Sequence, residues 1–229
     1  MQLFIGNKNY SSWSLRPWLL MRHAGIEFEE VRLRLSFEGD SEFKRSLAKV
    51  TPAGRVPVLV DDGFTVWDTL AIAEYLAEKA SAVPGAMPLW PVAPKARARA
   101  RSLCAEMHSG FSALRGQCPM NIEADLSQVG ARLMRDAPDV VADLARITSM
   151  WQAQLSESGG PFLFGAFSIA DAYFAPVASR MSTYALPVTG AVAQYVARVH
   201  ALPAMQRWAD EARAEHDFLA FDEPYRKAP

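Results

Sequence analysis

The residues with most to offer chemically stand near the start of the chain, in the run Tyr10-Ser11-Ser12-Trp13-Ser14. This polar stretch follows the short apolar run Leu3-Phe4-Ile5 and precedes a helical pattern. It therefore falls at the carboxyl end of a strand, where open α/β sheets bind their ligands. Unpaired N–H groups and the positive end of the helix dipole favour an anion there. A thiolate is one such anion. A free thiol ionises near pH ~8.5, and a hydroxyl donor at a helix N terminus can hold the sulfur in its ionised, nucleophilic form. Serine donates such a bond without competing as a nucleophile, and the same serines serve equally well as helix caps. No G-x-S-x-G elbow surrounds Ser11 or Ser12, and His23, His108, His200 and His216 stand in no triad context, which disfavours a serine hydrolase.

Two further stretches carry polar groups at element boundaries. Thr51-Pro52-Ala53-Gly54-Arg55-Val56-Pro57 leads into the apolar run Val58-Leu59-Val60. Pro57 cannot donate to a sheet ladder, so it belongs at the strand start, and a cis bond there would turn the Val56 backbone toward a ligand. Trp67-Asp68-Thr69-Leu70 opens a helix. Thr69 can offer a hydroxyl and an N–H to a carboxylate, and Asp68 can accept from an ammonium, the two groups of an amino-acid terminus. Taken alone, it is also an ordinary capped helix.

The elements that must position these residues are legible from periodicity. Leu3 to Ile5 reads as a buried strand, Leu15 to Gly25 as a helix of about ten residues with Pro17 in its first turn. Val31, Leu33 and Leu35, alternating with Arg32 and Arg34, predict a half-buried second strand. A helix over 41–49 carries Phe43 and Leu47. Val58 to Val60 and Phe64 to Val66 flank Asp61-Asp62-Gly63 as a hairpin, and Asp68 caps a helix through Leu76. The order βαβαββα is thioredoxin-like and closes near residue 80. Residues 81–94, with Pro84, Pro88, Pro91 and Pro94, read as a linker. Residues 95–229 read as all-helical, with apolar faces such as Leu103, Met107, Phe111 and Leu114.

Of 229 residues, 50% are hydrophobic and 21% charged, with a net charge of -1, so nothing points to nucleic acid or an anionic membrane as a partner. Cys104 and Cys118 have neither disulfide-framework nor zinc-site spacing, and no metal is expected. The opening residues do not form a secretory signal and no run is long enough to span a bilayer, so a cytoplasmic location is expected.

Taken together and in this order, the three polar sites and the proline-rich linker resemble the cytosolic glutathione transferases. Ser11-Ser12-Trp13-Ser14-Leu15-Arg16 is most similar to the zeta-class signature, with Trp13 where that class has a cysteine. The resemblance implies a thioredoxin-like glutathione-binding domain over 1–80, a linker over 81–94 and an all-helical domain over 95–229 forming the electrophile pocket. It makes Ser11 the thiol-activating residue, with Ser12 and Tyr10 as the rivals. It assigns Ser12, Arg55, Val56, Asp68 and Thr69 to glutathione and Pro57 to the family's cis-proline. Asp68 is one methylene shorter than the family's usual residue. Tyr10, Trp13, Met107, Phe111 and Arg115 are the candidates for the electrophile pocket, chosen because they could face the cleft between domains, although Met107 and Phe111 equally suit a core. The implied activity is conjugation of glutathione, as co-substrate, to a small hydrophobic electrophile. Glutathione-dependent cis-trans isomerisation of a maleyl-type diacid is the second reading, calling for a basic group such as Arg115 or Arg16 in the pocket. A non-catalytic binding or assembly module is the third. A homodimer is the family expectation, and Ser168-Ile169-Ala170-Asp171 resembles the family's capping box in the helical domain.

Overall fold

A computed structural model describes residues 1–227, so the last two residues of the helical region expected over 95–229 lie outside it. Strands β1 (Gln2–Ile5), β2 (Glu29–Arg32), β3 (Val58–Asp61) and β4 (Phe64–Trp67) form one sheet in the order β2-β1-β3-β4. β2 runs parallel to β1, whereas β3 is antiparallel to both β1 and β4. Helices α1 (Ser12–His23), α2 (Glu42–Ala48) and α3 (Thr69–Ser81) complete the βαβαββα order expected from the sequence.

Side-chain alternation along the strands builds a layer on each face of the sheet. Leu3, Ile5 and Leu59 point into the large core shared with α1 and α3, while Phe4, Val58 and Val60 pack with Phe43 and Leu47 of α2. That first core runs on without a break into the helical half. Leu15, Trp18 and Leu19 of α1 are fully buried, and α1 packs directly on α8 (Ile169–Thr183). The catalytically suggestive loop before α1 is thus carried by a helix clamped between sheet and helical bundle.

Two local features differ from the sequence expectation. α1 begins at Ser12, three residues earlier than its apolar pattern, because the Ser11 hydroxyl accepts the Ser14 N–H and supplies a cap. β2 ends at Arg32, before two of the three residues whose alternation predicted it. The reason lies in its partner: β1 stops at Ile5, whose carbonyl accepts the Leu33 N–H, and the Leu35 N–H finds the Asn7 side chain instead of a strand. Leu35 then folds over Gly6, where an added Cβ would come within 2.7 Å of the Leu35 side chain.

The helical half comprises α4 (Pro94–Ser109), α5 (Ser112–Gln117), α6 (Ser127–Asp136), α7 (Pro138–Ser158), α8, α9 (Gly190–Ala201) and α10 (Pro203–Arg213). The capping box at α8 is formed: Ser168 caps the helix, and Asp171 accepts the Ser168 N–H at 2.8 Å. Asp171 also accepts from the Leu163 N–H and the Tyr195 hydroxyl, so its buried carboxylate ties α8 to α9 and to the preceding loop. No helix among the described residues is long and apolar enough to cross a membrane.

Candidate active site

A cleft opens between the sheet domain and the helical bundle, in two adjoining parts of about 760 and 550 Å³ that share Trp13, Arg55, Val56 and Arg115. The larger part is lined by Tyr10, Ser11 and Ser12 on one side and by Arg115 and Arg180 on the other. The smaller reaches Pro57, Trp67, Asp68, Thr69 and His108. The three polar stretches, separated by some forty and ten residues of chain, therefore meet in one place.

Ser11 is 8% exposed and sits at the N-cap of α1. Its Oγ accepts the Ser14 N–H, and its hydroxyl donates to Ser14 Oγ at 2.7 Å. Ser14 Oγ in turn accepts the Gly6 N–H at 3.1 Å. Ser12 occupies the first position of α1, half-buried on the cleft wall. Tyr10 lines the cleft too, but its hydroxyl donates to Glu223 at 2.7 Å, with the Asp217 carbonyl 3.2 Å away. Burial, and then the bond to Glu223, pushes the phenol up to about 12. That hydroxyl is engaged with the chain's C-terminal segment rather than presented to a ligand.

The Val56-Pro57 peptide bond is cis, directly before β3, and Val56 lines both parts of the cleft. Gly54, at φ +62°, takes the chain through the left-handed region in the same loop. Asp68 caps α3, its Oδ1 accepting the Leu70 N–H at 2.8 Å, while Oδ2 lies 3.6 Å from His108 Nε2. Thr69 departs from the sequence reading in one respect. Pro17 has no N–H to give to the carbonyl four residues back, which is that of Trp13. The Thr69 hydroxyl donates to that carbonyl instead, at 3.3 Å. Its backbone N–H is what remains for a ligand carboxylate.

Among the expected electrophile-pocket residues, Tyr10, Trp13 and Arg115 line the cleft, and Met107 and Phe111 do not. Met107 is fully buried and Phe111 nearly so, both within the main core. Helical periodicity marked a buried face, but α4 ends at Ser109 and Phe111 stands in the left-handed region between α4 and α5, so the pattern could not say where the cleft lay. Arg16 likewise lies out of the cleft. It is buried behind Trp13, its Nε donating to the Tyr173 carbonyl and its guanidinium 4.3 Å from the Trp13 ring. Burial lowers it to about 10. Arg115 does reach the cleft, 5.0 Å from the same ring, and donates to the carbonyls of His108 and Gly110 at the end of α4.

The sequence reading missed Phe37, Arg180 and Asp222. Arg180 lies on α8, where Nε donates to the Cys118 carbonyl and Nη1 to that of Pro176. Phe37 and Asp222 come from an irregular loop and a short C-terminal turn, neither of which carries a periodic signal. The C-terminal segment reaches the site through a polar seam: Glu215 accepts from the Lys8 N–H and pairs with Arg32, and Asp217 pairs with Arg34 and Asn7. Among the described residues no group of His, Cys, Asp and Glu is arranged to hold a metal ion.

A helix N terminus bearing a serine, a cis-proline loop and a capped second helix facing one interdomain cleft is an arrangement suited to a peptide with a thiol. Family comparison agrees. The glutathione S-transferase N-terminal domain profile matches residues 10–79, and the glutathione S-transferase C-terminal domain profile matches residues 94–211. The chain belongs to the glutathione S-transferase family. A probable maleylacetoacetate isomerase of Caenorhabditis elegans is 37% identical over 103 residues, 45% of this chain and 44% of that one. The maleylacetoacetate isomerase of Rattus norvegicus is 33% identical over 119 residues, 52% of this chain and 50% of its own. The chain thus spans about half the length of the curated relatives it matches. A glutathione transferase homologue from Burkholderia, solved with bound glutathione, superposes with a TM-score of 0.69 at 26% identity, covering 93% of this chain and 98% of that one. The maleylacetoacetate isomerase of Methylobacterium extorquens AM1, solved with malonate and glutathione, gives 0.64 at 25% identity, covering 93% and 97%. The transferase fold, a thioredoxin-like domain followed by a helical one, covers 93% of the chain in these superpositions.

Proposed function

We propose that this transferase-family chain is an enzyme that binds glutathione in the interdomain cleft and transfers its sulfur to a small electrophile. The carrying observation is the convergence of Ser11, the cis Val56-Pro57 loop and the Asp68-Thr69 cap on one cleft. In this reading the Val56 backbone pairs with the cysteinyl part of the tripeptide. Thr69 N–H meets the γ-glutamyl carboxylate and Asp68 its ammonium, with Ser12 and Arg55 bordering the same ligand. The thiol loses its proton to solvent. Ser11 then reverses its bond with Ser14, accepting from it and donating its own proton as a hydrogen bond to the thiolate. The sulfur lone pair forms the new bond to carbon, and the leaving group departs with the electrons of the bond that breaks.

A second reading, glutathione-dependent cis-trans isomerisation of a maleyl-type diacid, is favoured by the two guanidinium groups of Arg115 and Arg180 on the cleft wall. There the sulfur adds to the double bond, rotation follows, and elimination returns the thiolate. Calorimetry with glutathione, followed by turnover of chlorodinitrobenzene and of a maleyl diacid, tests both. Binding with turnover of the aryl halide alone supports conjugation, and turnover of the diacid supports isomerisation. Absence of glutathione binding contradicts both and leaves a non-catalytic module.

The proposal extends to a cytoplasmic homodimer. Phe64, 61% exposed on β4 at the edge of the sheet, presents apolar surface that a second copy of the chain would cover. Light scattering after size exclusion reads the mass directly.

A further inference from the structure

The part of the cleft beyond Ser11 is neither uniformly apolar nor uniformly charged. Phe37 and Phe43 line it with ring centroids 5.9 Å apart, and Phe221 pairs edge-to-face with Phe37 at 5.1 Å. Phe37 and Phe221 are 56% and 52% exposed, so about half of each ring's surface faces solvent beside the cavity. At the opposite wall lies Arg180, which is 4% exposed and still lines the cavity. Its Nε and Nη1 donate to main-chain carbonyls, which fixes the plane of the guanidinium. Its Nη2 has no partner among the described residues. A buried, immobilised guanidinium with a donor left over is a built receptor for an oxygen anion. Asp222 lines the same cavity yet makes no ion pair with Arg180 within 4.0 Å, so it does not occupy that donor.

Ser11, where the sulfur sits in the reading above, lies on the same cavity as both features. Resting on that reading, we propose that the electrophile is an aryl or similarly apolar molecule bearing a carboxylate, its acid held by Arg180 and its body against Phe37 and Phe221. Arg115, on the wall near Trp13, adds positive potential to the same end. The competing use of Arg180, holding the glycyl carboxylate of glutathione, places no demand on the electrophile's charge and so is separable by experiment.

A matched pair tests this: 4-chloro-3,5-dinitrobenzoate and its methyl ester, which share one reacting carbon. The thiolate attacks the carbon bearing chlorine, the carbon–sulfur bond forms, and chloride leaves with the bonding pair. With each rate divided by its uncatalysed rate with glutathione, the acid is expected to exceed the ester in kcat/KM by tenfold or more. Arg180→Met should collapse that ratio toward one and Arg180→Lys should keep most of it. Because Arg180 also supports two carbonyls, the wild-type comparison stands by itself should either variant fail to fold. Phe221→Ser, at an exposed position, should lower kcat/KM for acid and ester alike. Conjugation of chlorodinitrobenzene with no preference for the acid would overturn the proposal while leaving the transferase reading intact. An equal rise in the glutathione KM with both electrophiles on Arg180→Met would assign Arg180 to glutathione and overturn it too. No glutathione binding at all would remove the transferase reading, and this proposal with it.

Discussion

Ser14 Oγ lies 2.7 Å from Ser11 Oγ while accepting the Gly6 N–H, so the capping serine of α1 is tied by hydrogen bonds to the end of β1. Ser14 is fully buried, and Ser14→Ala leaves the Gly6 N–H without its acceptor. Such an unsatisfied buried donor costs about 1–3 kcal/mol, to be read as a lowered denaturant midpoint. Conjugation should fall as well, because Ser11 loses the neighbour that orients its hydroxyl. Ser14→Thr, which keeps the hydroxyl, should retain more of both, and a full-activity, full-stability Ser14→Ala protein would contradict this reading.

Tyr10 is the alternative thiol activator, and its hydroxyl bond to Glu223 argues against that role. Tyr10→Phe should leave at least half of the conjugating turnover while costing about 1 kcal/mol of stability for the lost bond. A loss of turnover of about a hundredfold would return Tyr10 to the catalytic role.

The helical half offers a steric test. Gly130 of α6 lies so close to the turn after α8 that an added Cβ would sit 1.7 Å from the Tyr184 carbonyl oxygen. A backbone atom cannot rotate away as a side chain can. Gly130→Ala should cost about 3 kcal/mol or more, at the upper end for overpacking, measured by chemical unfolding. A change within about 0.5 kcal/mol would mean that α6 shifts freely on α8.

The strand and helix order of the first domain could be read from the sequence because Leu3 to Ile5, Val58 to Val60 and the helix after Asp68 carry clean periodicity and turn signals. The register at β2 could not. Leu33 and Leu35 alternate as a strand would, yet β1 supplies no carbonyl for them beyond Ile5. Ser11, Val56 and Asp68 were identifiable through element boundaries, where backbone groups are unpaired. The far wall of the cleft was not, since Arg180 sits inside a buried helix and Asp222 in a short turn with no pattern. Nor could periodicity show that Met107 and Phe111 face the core instead of the cleft. That depends on how α4 and α5 pack against the rest of the bundle.

Asp222 gives the acid-binding wall a pH dependence. Burial, and then the charge of adjacent Glu223, pushes its carboxyl up to about 6, with Arg180 opposing the rise. Glu223 is itself paired with Arg226, while Arg115 and Arg180 face the cavity with Asp222. Below about pH 6 Asp222 is neutral, and above it the added negative charge weakens the pull on an anionic electrophile. The acid-to-ester ratio in kcat/KM should therefore rise severalfold as pH falls from about 7 to about 5, and thiolate formation cancels from that ratio. Asp222→Asn should flatten the dependence. A ratio that is flat in the wild type would contradict it.

Whether Ser11 stabilises a bound thiolate is read by titrating the thiol of glutathione in its complex with the protein, following the ultraviolet absorbance of the thiolate. The bound thiol is expected to ionise at least one pH unit below the ~8.5 of a free thiol, and to return toward that value in Ser11→Ala while glutathione still binds. Ser11→Ala turnover at neutral pH should fall about a hundredfold, as when one donor to a developing or resting anion is removed. An unshifted bound thiol in the wild type, or a depressed one that survives Ser11→Ala, would contradict the assignment.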